Sequence, residues 1–415
     1  MKALPSASAI NVKLNFANDR IPVGRLALRE RTIYFAYESS FIQRGLEISP
    51  FMLPLKPGVT SFGNSLFEGL PGVFNDSLPD GWGRLLFDRF AQSKGRLPSE
   101  ITPLDRLASV GSQGLGALVY EPEFSMDLPD ASLNLDCVAY QVEEILKGTS
   151  SEVLQELLIL NGSSSGARPK ALIGVSQDHE SIIHGGLNVQ EGYSPWLVKF
   201  PNTQDGLDTG SVEYVYALMA KEAGVHMPEV HLFPAKRGPG YFACKRFDRD
   251  GDRRFHMHTA CGLLHADFRA PSLDYQDLLT LTSMLTRDIR EVEKMYRLAV
   301  FNVLAHNRDD HSKNFSFLMD AKGTWSLSPA YDLTFSYGPG GEQSTMVMGE
   351  GRNPGVQQLM RLGLEAKLTK ACITEIIDQT RFALSSWSSL AKQYGVSQEM
   401  IELIAKRMQE IPQVK

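Results

Sequence analysis

The sequence predicts an α+β fold in which a β-rich first section, a mixed middle section and a mainly helical last section follow one another along 415 residues. Three observations predict it. Apolar and polar residues alternate near the start, helical periodicity is interleaved with short apolar runs in the middle, and apolar positions recur at helical spacing toward the end. Composition agrees: 43% hydrophobic and 22% charged residues, with 35 Gly and 22 Pro, exclude disordered and collagen-like chains. At about 100–200 residues per domain, the length calls for more than one.

In the first section Ile10, Val12 and Leu14 alternate, as do Ile33, Phe35 and Tyr37 inside RTIYFAYE, the pattern of a small antiparallel sheet. The Gly- and Pro-rich FGNSLFEGLPGVFNDSLPDGW then leads into a short helix, GRLLFDRFAQ, carrying Leu85, Leu86, Phe87 and Phe90. This section closes near EPEFSMDLPDASLN, and the chain divides at 1–125, 126–250 and 251–415. The middle section reads as helices in QVEEILKG and SSEVLQELLIL, a loop in NGSSSGARPK, and buried strands in ALIGV and WLVKF. SVEYVYALMAKEAG places Val212, Val215, Tyr216 and Met219 on one helical face and stops at Gly224. In the last section DIREVEKMYRLAVFNVLAHN forms a long helix with Val292, Met295, Tyr296, Ala299 and Val303 as its core stripe. Two C-terminal helices follow, the first starting in TKACITEIIDQT and running to Gly395, the second capped by Ser397.

Forty-two Lys plus Arg against 48 Asp plus Glu leave a net charge of -6, which argues against a chain that grips nucleic acid over a broad basic face by itself. Cys137, Cys244, Cys261 and Cys372 form no CxxC pair, so neither a zinc cluster nor a disulfide framework is indicated. The first residues lack the apolar core of a signal peptide, and no run approaches the roughly 18 apolar residues of a membrane span. A cytoplasmic protein with reduced thiols and no membrane partner is expected.

The densest polar run in otherwise apolar surroundings is His306-Asn307-Arg308-Asp309-Asp310-His311-Ser312-Lys313-Asn314, between the long helix and FSFLM. Asp309 and Asn314 stand at the D-x-x-x-x-N spacing of a kinase catalytic loop, in which the Asp accepts the substrate hydroxyl proton and the Asn binds Mg²⁺. Asp310 is out by one position, which selects Asp309. FSFLM, the turn DAKG and TWSLS make a hairpin that brings the chain back to Ala330-Tyr331-Asp332-Leu333, so Asp332 can face Asn314 across a metal. A hard cation such as Mg²⁺ takes carboxylate, amide and phosphate oxygens, and this pair offers the first two. His311 sits within the same run as a candidate nucleotide contact or a structural donor.

A charge in the apolar strand WLVKF needs a partner, and Glu213 near the start of the next helix is the natural one for Lys199, as in the Lys–Glu pair that orients a kinase lysine on ATP phosphates. The loop from Gly162 through Ser163, Ser164, Ser165, Gly166, Ala167, Arg168 and Pro169 to Lys170 offers small residues whose N–H groups can approach phosphates, then two cations. It is neither a Walker A motif nor G-x-G-x-x-G. Two further features carry less: His256 and His258 alternate on a strand and read as surface, and the mixed charges from Lys245 to Arg254 read as a solvated hairpin.

Taken in order, SSSGARPKALIG, WLVKFP, SVEYVYALMAKEAG, FACKRFDR, NRDDHSKNFSFL and SPAYDLT resemble the HipA family of bacterial serine/threonine kinases, toxins of toxin–antitoxin modules, and FEGLPGVFNDSLPDGWGRLLFDRF is similar to the family's N-terminal subdomain. The resemblance implies a protein-kinase-like, two-lobed fold with a β-rich extra subdomain and an all-helical C-terminal lobe, with ATP and Mg²⁺ as cosubstrates. It implies Asp309 as catalytic base, Asn314 and Asp332 as metal ligands, Lys199 as the ATP-binding lysine, and autophosphorylation on Ser163, with Ser165 close by. It implies a helix-turn-helix (HipB-like) antitoxin through which DNA is reached, and an aminoacyl-tRNA synthetase as the kind of protein phosphorylated. Asp310 departs from the glycine common in the family. Two other readings share these residues: a non-catalytic co-repressor bound to the antitoxin, and a small-molecule kinase.

Overall fold

The computed structural model describes residues 5–17, 19–63, 66–124, 132–148, 154–161, 166, 168–185, 190–202 and 206–412. Its first sheet is antiparallel, built from β1 (Ala9–Asn15), β2 (Arg20–Arg29), β3 (Thr32–Tyr37), β4 (Val59–Ser61) and β5 (Leu118–Glu121) in the order β4-β3-β2-β1-β5. The alternation has its expected consequence: Ile10, Val12, Leu14, Ile33 and Phe35 are buried on the core face.

The second sheet, also antiparallel, contains β6 (Lys170–Ser176), β7 (Ile182–His184), β8 (Tyr193–Lys199), β9 (Val230–Phe233) and β10 (Tyr241–Lys245) in the order β7-β6-β8-β10-β9. The helix Thr209–Glu222 follows β8, with Val212, Val215, Tyr216 and Met219 buried, and ends before Gly224, whose φ of 75° suits glycine. Trp196, Val198 and Ile173 of this sheet share one core with Trp82 and Leu86 of the helix Gly81–Ser93. That helix, read from sequence as part of the first section, therefore packs on the second sheet as well; Trp82 and Leu86 are four residues apart and share a face.

The last section is mainly helical but not wholly so, which corrects the expectation of an all-helical lobe. After a short hairpin of β11 (Arg249–Asp250) and β12 (Arg253–Arg254) come β13 (His256–Thr259), β14 (Leu273–Asp274), β15 (Ser316–Met319), β16 (Trp325–Leu327) and β17 (Thr345–Met346). The β15–β16 hairpin forms as its sequence predicts, but its free edge would leave backbone groups unpaired, and β13 joins it in the order β13-β15-β16. β14 and β17 pair in parallel. The helix Ile289–Leu304 buries all five stripe residues, Val292, Met295, Tyr296, Ala299 and Val303. The C-terminal stretch expected to run unbroken to Gly395 divides at Ser386 into Lys370–Ser385 and Trp387–Gln393. Ser397 does precede the helix Gln398–Gln409, but its hydroxyl donates to Asp208 at 2.7 Å rather than capping that helix.

Two polar groups expected at the surface are buried because the first section lies over them. His256 Nε2 meets the Ile48 carbonyl oxygen at 2.8 Å, while His258 joins Asp76 at 2.6 Å and Ser49 at 3.0 Å. Both imidazoles are 0% exposed, so a strand edge read as surface is a docking seam. In the charged run, Asp248 accepts from Arg246 at 2.8 Å, Arg249 at 2.6 Å and the Gly116 N–H at 2.7 Å. Arg246, Arg249 and Arg254 donate their other N–H groups to the carbonyls of Gly114, Gly116 and Ser112. The hairpin tip, with Asp250 and Arg253, is solvated, as is the Lys245 side chain at the start of the run. Among the described residues no helix is long and apolar enough to cross a membrane, and the four cysteines are free thiols.

The seam is closest at Gly72, where a Cβ would stand 2.3 Å from the Gly262 carbonyl oxygen. Gly72→Ala should therefore destabilise the protein by about 1–3 kcal/mol, the range of overpacking in a filled interior. Urea unfolding of the two proteins checks this; an unchanged midpoint would mean that the seam yields freely.

Candidate active site

The polar run leaves the helix Ile289–Leu304 in a sharp turn at His306, whose φ is 56°. The His306 ring stacks on Phe335 at 5.3 Å, and its carbonyl oxygen and Nδ1 meet the Ser336 N–H and carbonyl oxygen at 3.2 and 3.1 Å. Asp310 points inward and is 0% exposed. It accepts from the Tyr275 hydroxyl at 2.6 Å, the Gln343 amide at 2.9 Å, and the backbone N–H groups of Ser344 and Thr345 at 3.0 and 3.2 Å. Tyr275 in turn receives Asn302, which receives Asn307, each at 2.9 Å. Asp310 is thus the anchor of the loop, and Asp309 is the carboxylate of the pair that lines the cleft.

Burial pushes the Asp309 carboxyl above its usual range, with His311 opposing and Asp332 adding to the rise. Asn314 closes the turn by donating its Nδ2 to the Asp309 carbonyl oxygen at 2.7 Å, which leaves Oδ1 as the amide oxygen able to meet a cation. His311 lines the same cleft, and its ring packs on Phe268 at 5.4 Å.

From the hairpin the chain returns as expected. The Ala330 N–H donates to the His226 carbonyl oxygen at 2.7 Å, the Tyr331 hydroxyl to the Lys313 carbonyl oxygen at 2.6 Å, and Asp332 adopts a left-handed φ of 58°. Asp332 meets Lys199 at 2.6 Å, and Lys199 also bonds Glu213 from the helix behind the second sheet. Burial opposes the charge on Lys199, but Asp332 and Glu213 outweigh it and hold the ammonium above its usual pKa. Burial likewise works against ionised Asp332 and is overcome by Lys199 and then Lys170. Glu213, enclosed most deeply, is raised by burial despite Lys199. Lys170 lies opposite Lys199 on the adjacent strand, and burial followed by Lys199 lowers its pKa.

These groups line one cleft of about 740 Å³, together with Gly166, Lys170 and Arg168. Ser163, Ser164, Ser165 and Ala167 lie outside the described residues. Among the described residues no group of three His, Cys, Asp or Glu side chains could hold a metal alone. The oxygens of Asn314 and Asp332 fit a Mg²⁺ that takes its other ligands from phosphate and water, and the Asp332 side chain, 35% exposed, is open to the cleft. Sequence reasoning missed Asp80, which reaches this wall from the first section and bonds Lys313. The Pro-Asp-Gly turn around it gives no local sign of a partner in the polar run.

Asp310 makes stability pH-dependent. Burial pushes its carboxyl up to about 7 against the pull of its donors, whereas an unfolded Asp titrates near about 3.9. The native state then keeps a proton that the unfolded chain loses, so this contribution is whole below about pH 4 and is lost as pH rises toward about 7, by at most about 1.4 kcal/mol per pH unit. Urea midpoints followed across that window should fall for the wild type relative to Asp310→Asn; parallel curves would assign Asp310 an ordinary pKa.

Two family models match the chain, the HipA N-terminal domain over residues 14–121 and the HipA-like C-terminal domain over residues 162–413. The protein Y4dM of Sinorhizobium fredii is 28% identical over 218 residues, 48% of this chain and about half, 52%, of its own length. The serine/threonine-protein kinase toxin HipA of Shewanella oneidensis is 23% identical over 359 residues, 80% of this chain and 76% of that protein. The solved Shewanella oneidensis complex of HipA, HipB and operator DNA contains a chain that matches with a TM-score of 0.69 at 16% identity, covering 96% of this chain and 95% of its own. The fold is therefore α+β and protein-kinase-like. With HipA models matching both its N-terminal section and most of the remainder, this chain belongs to the HipA family.

Proposed function

We propose that this protein is an ATP- and Mg²⁺-dependent serine/threonine protein kinase acting in the cytoplasm as the toxin of a toxin–antitoxin pair. The observation that carries the reading is Lys199, bonded at once to Glu213 and Asp332 in a cleft that also receives Asp309 and Asn314. Bound Mg²⁺ would neutralise phosphate charge and align the nucleotide, with Asn314 and Asp332 as its protein ligands. Lys199, freed in part from Asp332, would bind the α and β phosphates while Glu213 holds it in place. The N–H groups around Gly166, with Lys170, would cradle the phosphates from above, and His311 would line the nucleotide's wall. Asp309 would take the proton of the acceptor hydroxyl as that oxygen bonds to the γ-phosphorus and the bond to the β–γ bridging oxygen breaks. Its raised pKa suits a base that must gain a proton during the step.

The acceptor is a serine or threonine of a translation component such as an aminoacyl-tRNA synthetase, and Ser163 or Ser165 for the self-directed reaction; both follow from the family resemblance. With a net charge of -6 the chain reaches DNA through a helix-turn-helix antitoxin. The relative solved with HipB and operator DNA supports that partnership.

Incubation with labelled ATP, Mg²⁺ and a bacterial lysate tests the activity. Asp309→Ala should stay folded and lose about 10²–10⁴-fold in transfer, and Asp332→Asn should weaken Mg²⁺-dependent ATP binding in calorimetry. Wild-type transfer rates in folded Asp309→Ala would remove Asp309 as the base, and unchanged metal dependence in Asp332→Asn would remove that ligand.

A further inference from the structure

The geometry points to Asp80, in the N-terminal section, as a positioning residue of the active site: its carboxylate holds the ammonium of Lys313 and the N–H of Gly166, two donors on the cleft wall where the transferred phosphoryl group would lie. This role rests on the kinase reading above.

Three features set Asp80 apart from an ordinary helix cap. It occupies the N-cap position of the helix Gly81–Ser93, where an aspartate normally accepts from its own helix's first N–H groups, yet its side chain makes no such bond. One oxygen is turned to Gly166 and the other to Lys313, 233 residues away in sequence. Gly166 is held a second time, because the Trp82 N–H donates to its carbonyl oxygen at 3.2 Å. Asp80 and Trp82 thus grip one residue of the phosphate-facing loop through both of its backbone polar groups.

Lys313 is equally constrained. It is 8% exposed, its ammonium lies 4.6 Å from the centre of the Phe268 ring, and its carbonyl oxygen is taken by Tyr331, the residue before Asp332. Its neighbour Asn314 is the candidate metal ligand. A buried lysine held this way has few rotamers left, and Asp80 decides which one it uses. Burial acts against ionised Asp80, but the Lys313 charge, the two hydrogen bonds and Lys170 overcome it, so the carboxylate is charged when it holds them. Asp80 therefore ties together the glycine loop, the catalytic loop and the helix that spans the first section and the second sheet. Positioning of this kind acts on the rate of the chemical step more than on nucleotide affinity.

The test compares wild type, Asp80→Asn, Asp80→Glu, Lys313→Met and the Asp80→Asn/Lys313→Met double variant, each checked for folding by thermal unfolding and assayed for Mg·ATP affinity and for kcat with a transferable acceptor. The double variant removes both charges, so it avoids the stranded ion that can unfold either single variant. The expected result is a stable double variant whose kcat is lower by about tenfold or more while its Mg·ATP Kd stays within about threefold, no additive loss beyond Lys313→Met, and partial recovery of kcat in Asp80→Glu. A stable double variant with near wild-type kcat would overturn the proposal, making the pair a structural ion pair only, and so would strictly additive losses. The two possible failures separate: a folded wild type that binds Mg·ATP but transfers nothing overturns the kinase reading and this role with it, whereas wild-type transfer with unaltered kcat in the double variant overturns only the role of Asp80.

Discussion

One ammonium shared by two carboxylates holds the centre of this molecule. Lys199 comes from the second sheet, Glu213 from the helix behind it, and Asp332 from the chain returning after the β15–β16 hairpin. A charge this deeply placed is costly unless it is paired, and removing one partner of a buried pair typically costs about 3–5 kcal/mol. The arrangement therefore requires the two lobes to meet at one distance and one orientation. Two carboxylates on one lysine are also an excess of negative charge, offset by Lys170 on the neighbouring strand.

The rest of the structure holds Asp332 where that pairing needs it and keeps Asp309 on the same cleft. Asp310 pins the polar run from His306 to Asn314 from below through four donors, and the His306–Ser336 bonds pin it to the segment that follows Asp332. The first section is more than an appendage. It covers β13 through His256 and His258, supplies the carbonyls that satisfy the buried arginines around Asp248, and sends Asp80 into the cleft. Buried polar groups whose partners come from a distant stretch are costly to expose, so the sections hold together as one body.

Much of this was legible in the sequence wherever the signal is local. Alternation at Ile10, Val12 and Leu14, the stripe from Val292 to Val303, and the hairpin around Asp320 depend on residues near in sequence, and all three formed. The spacing of Asp309 and Asn314 and the isolated charge of Lys199 marked residues that the fold brings into one cleft. What could not be read is long-range pairing of polar groups. His256 and His258 read as surface because Ile48, Ser49 and Asp76 lie about 180–210 residues earlier. Asp248 and its arginines read as a solvated hairpin because their distant partners are backbone groups, the Gly116 N–H for Asp248 and carbonyls for the arginines, which no side-chain pattern announces. The strand β13 was expected, but its burial was not, because its histidines are matched to polar partners rather than to an apolar face.

The central claim is that Lys199, Asn314 and Asp332 form the metal–nucleotide site. A crystal structure with Mn²⁺ and a non-hydrolysable ATP analogue, using the anomalous signal of manganese to place the ion, tests it most directly. The account predicts manganese bound by the Asn314 amide oxygen and the Asp332 carboxylate, with the Lys199 ammonium on phosphate oxygens. Manganese and nucleotide bound away from both residues, or Lys199 still engaged with Asp332 alone while the nucleotide sits elsewhere, would contradict it.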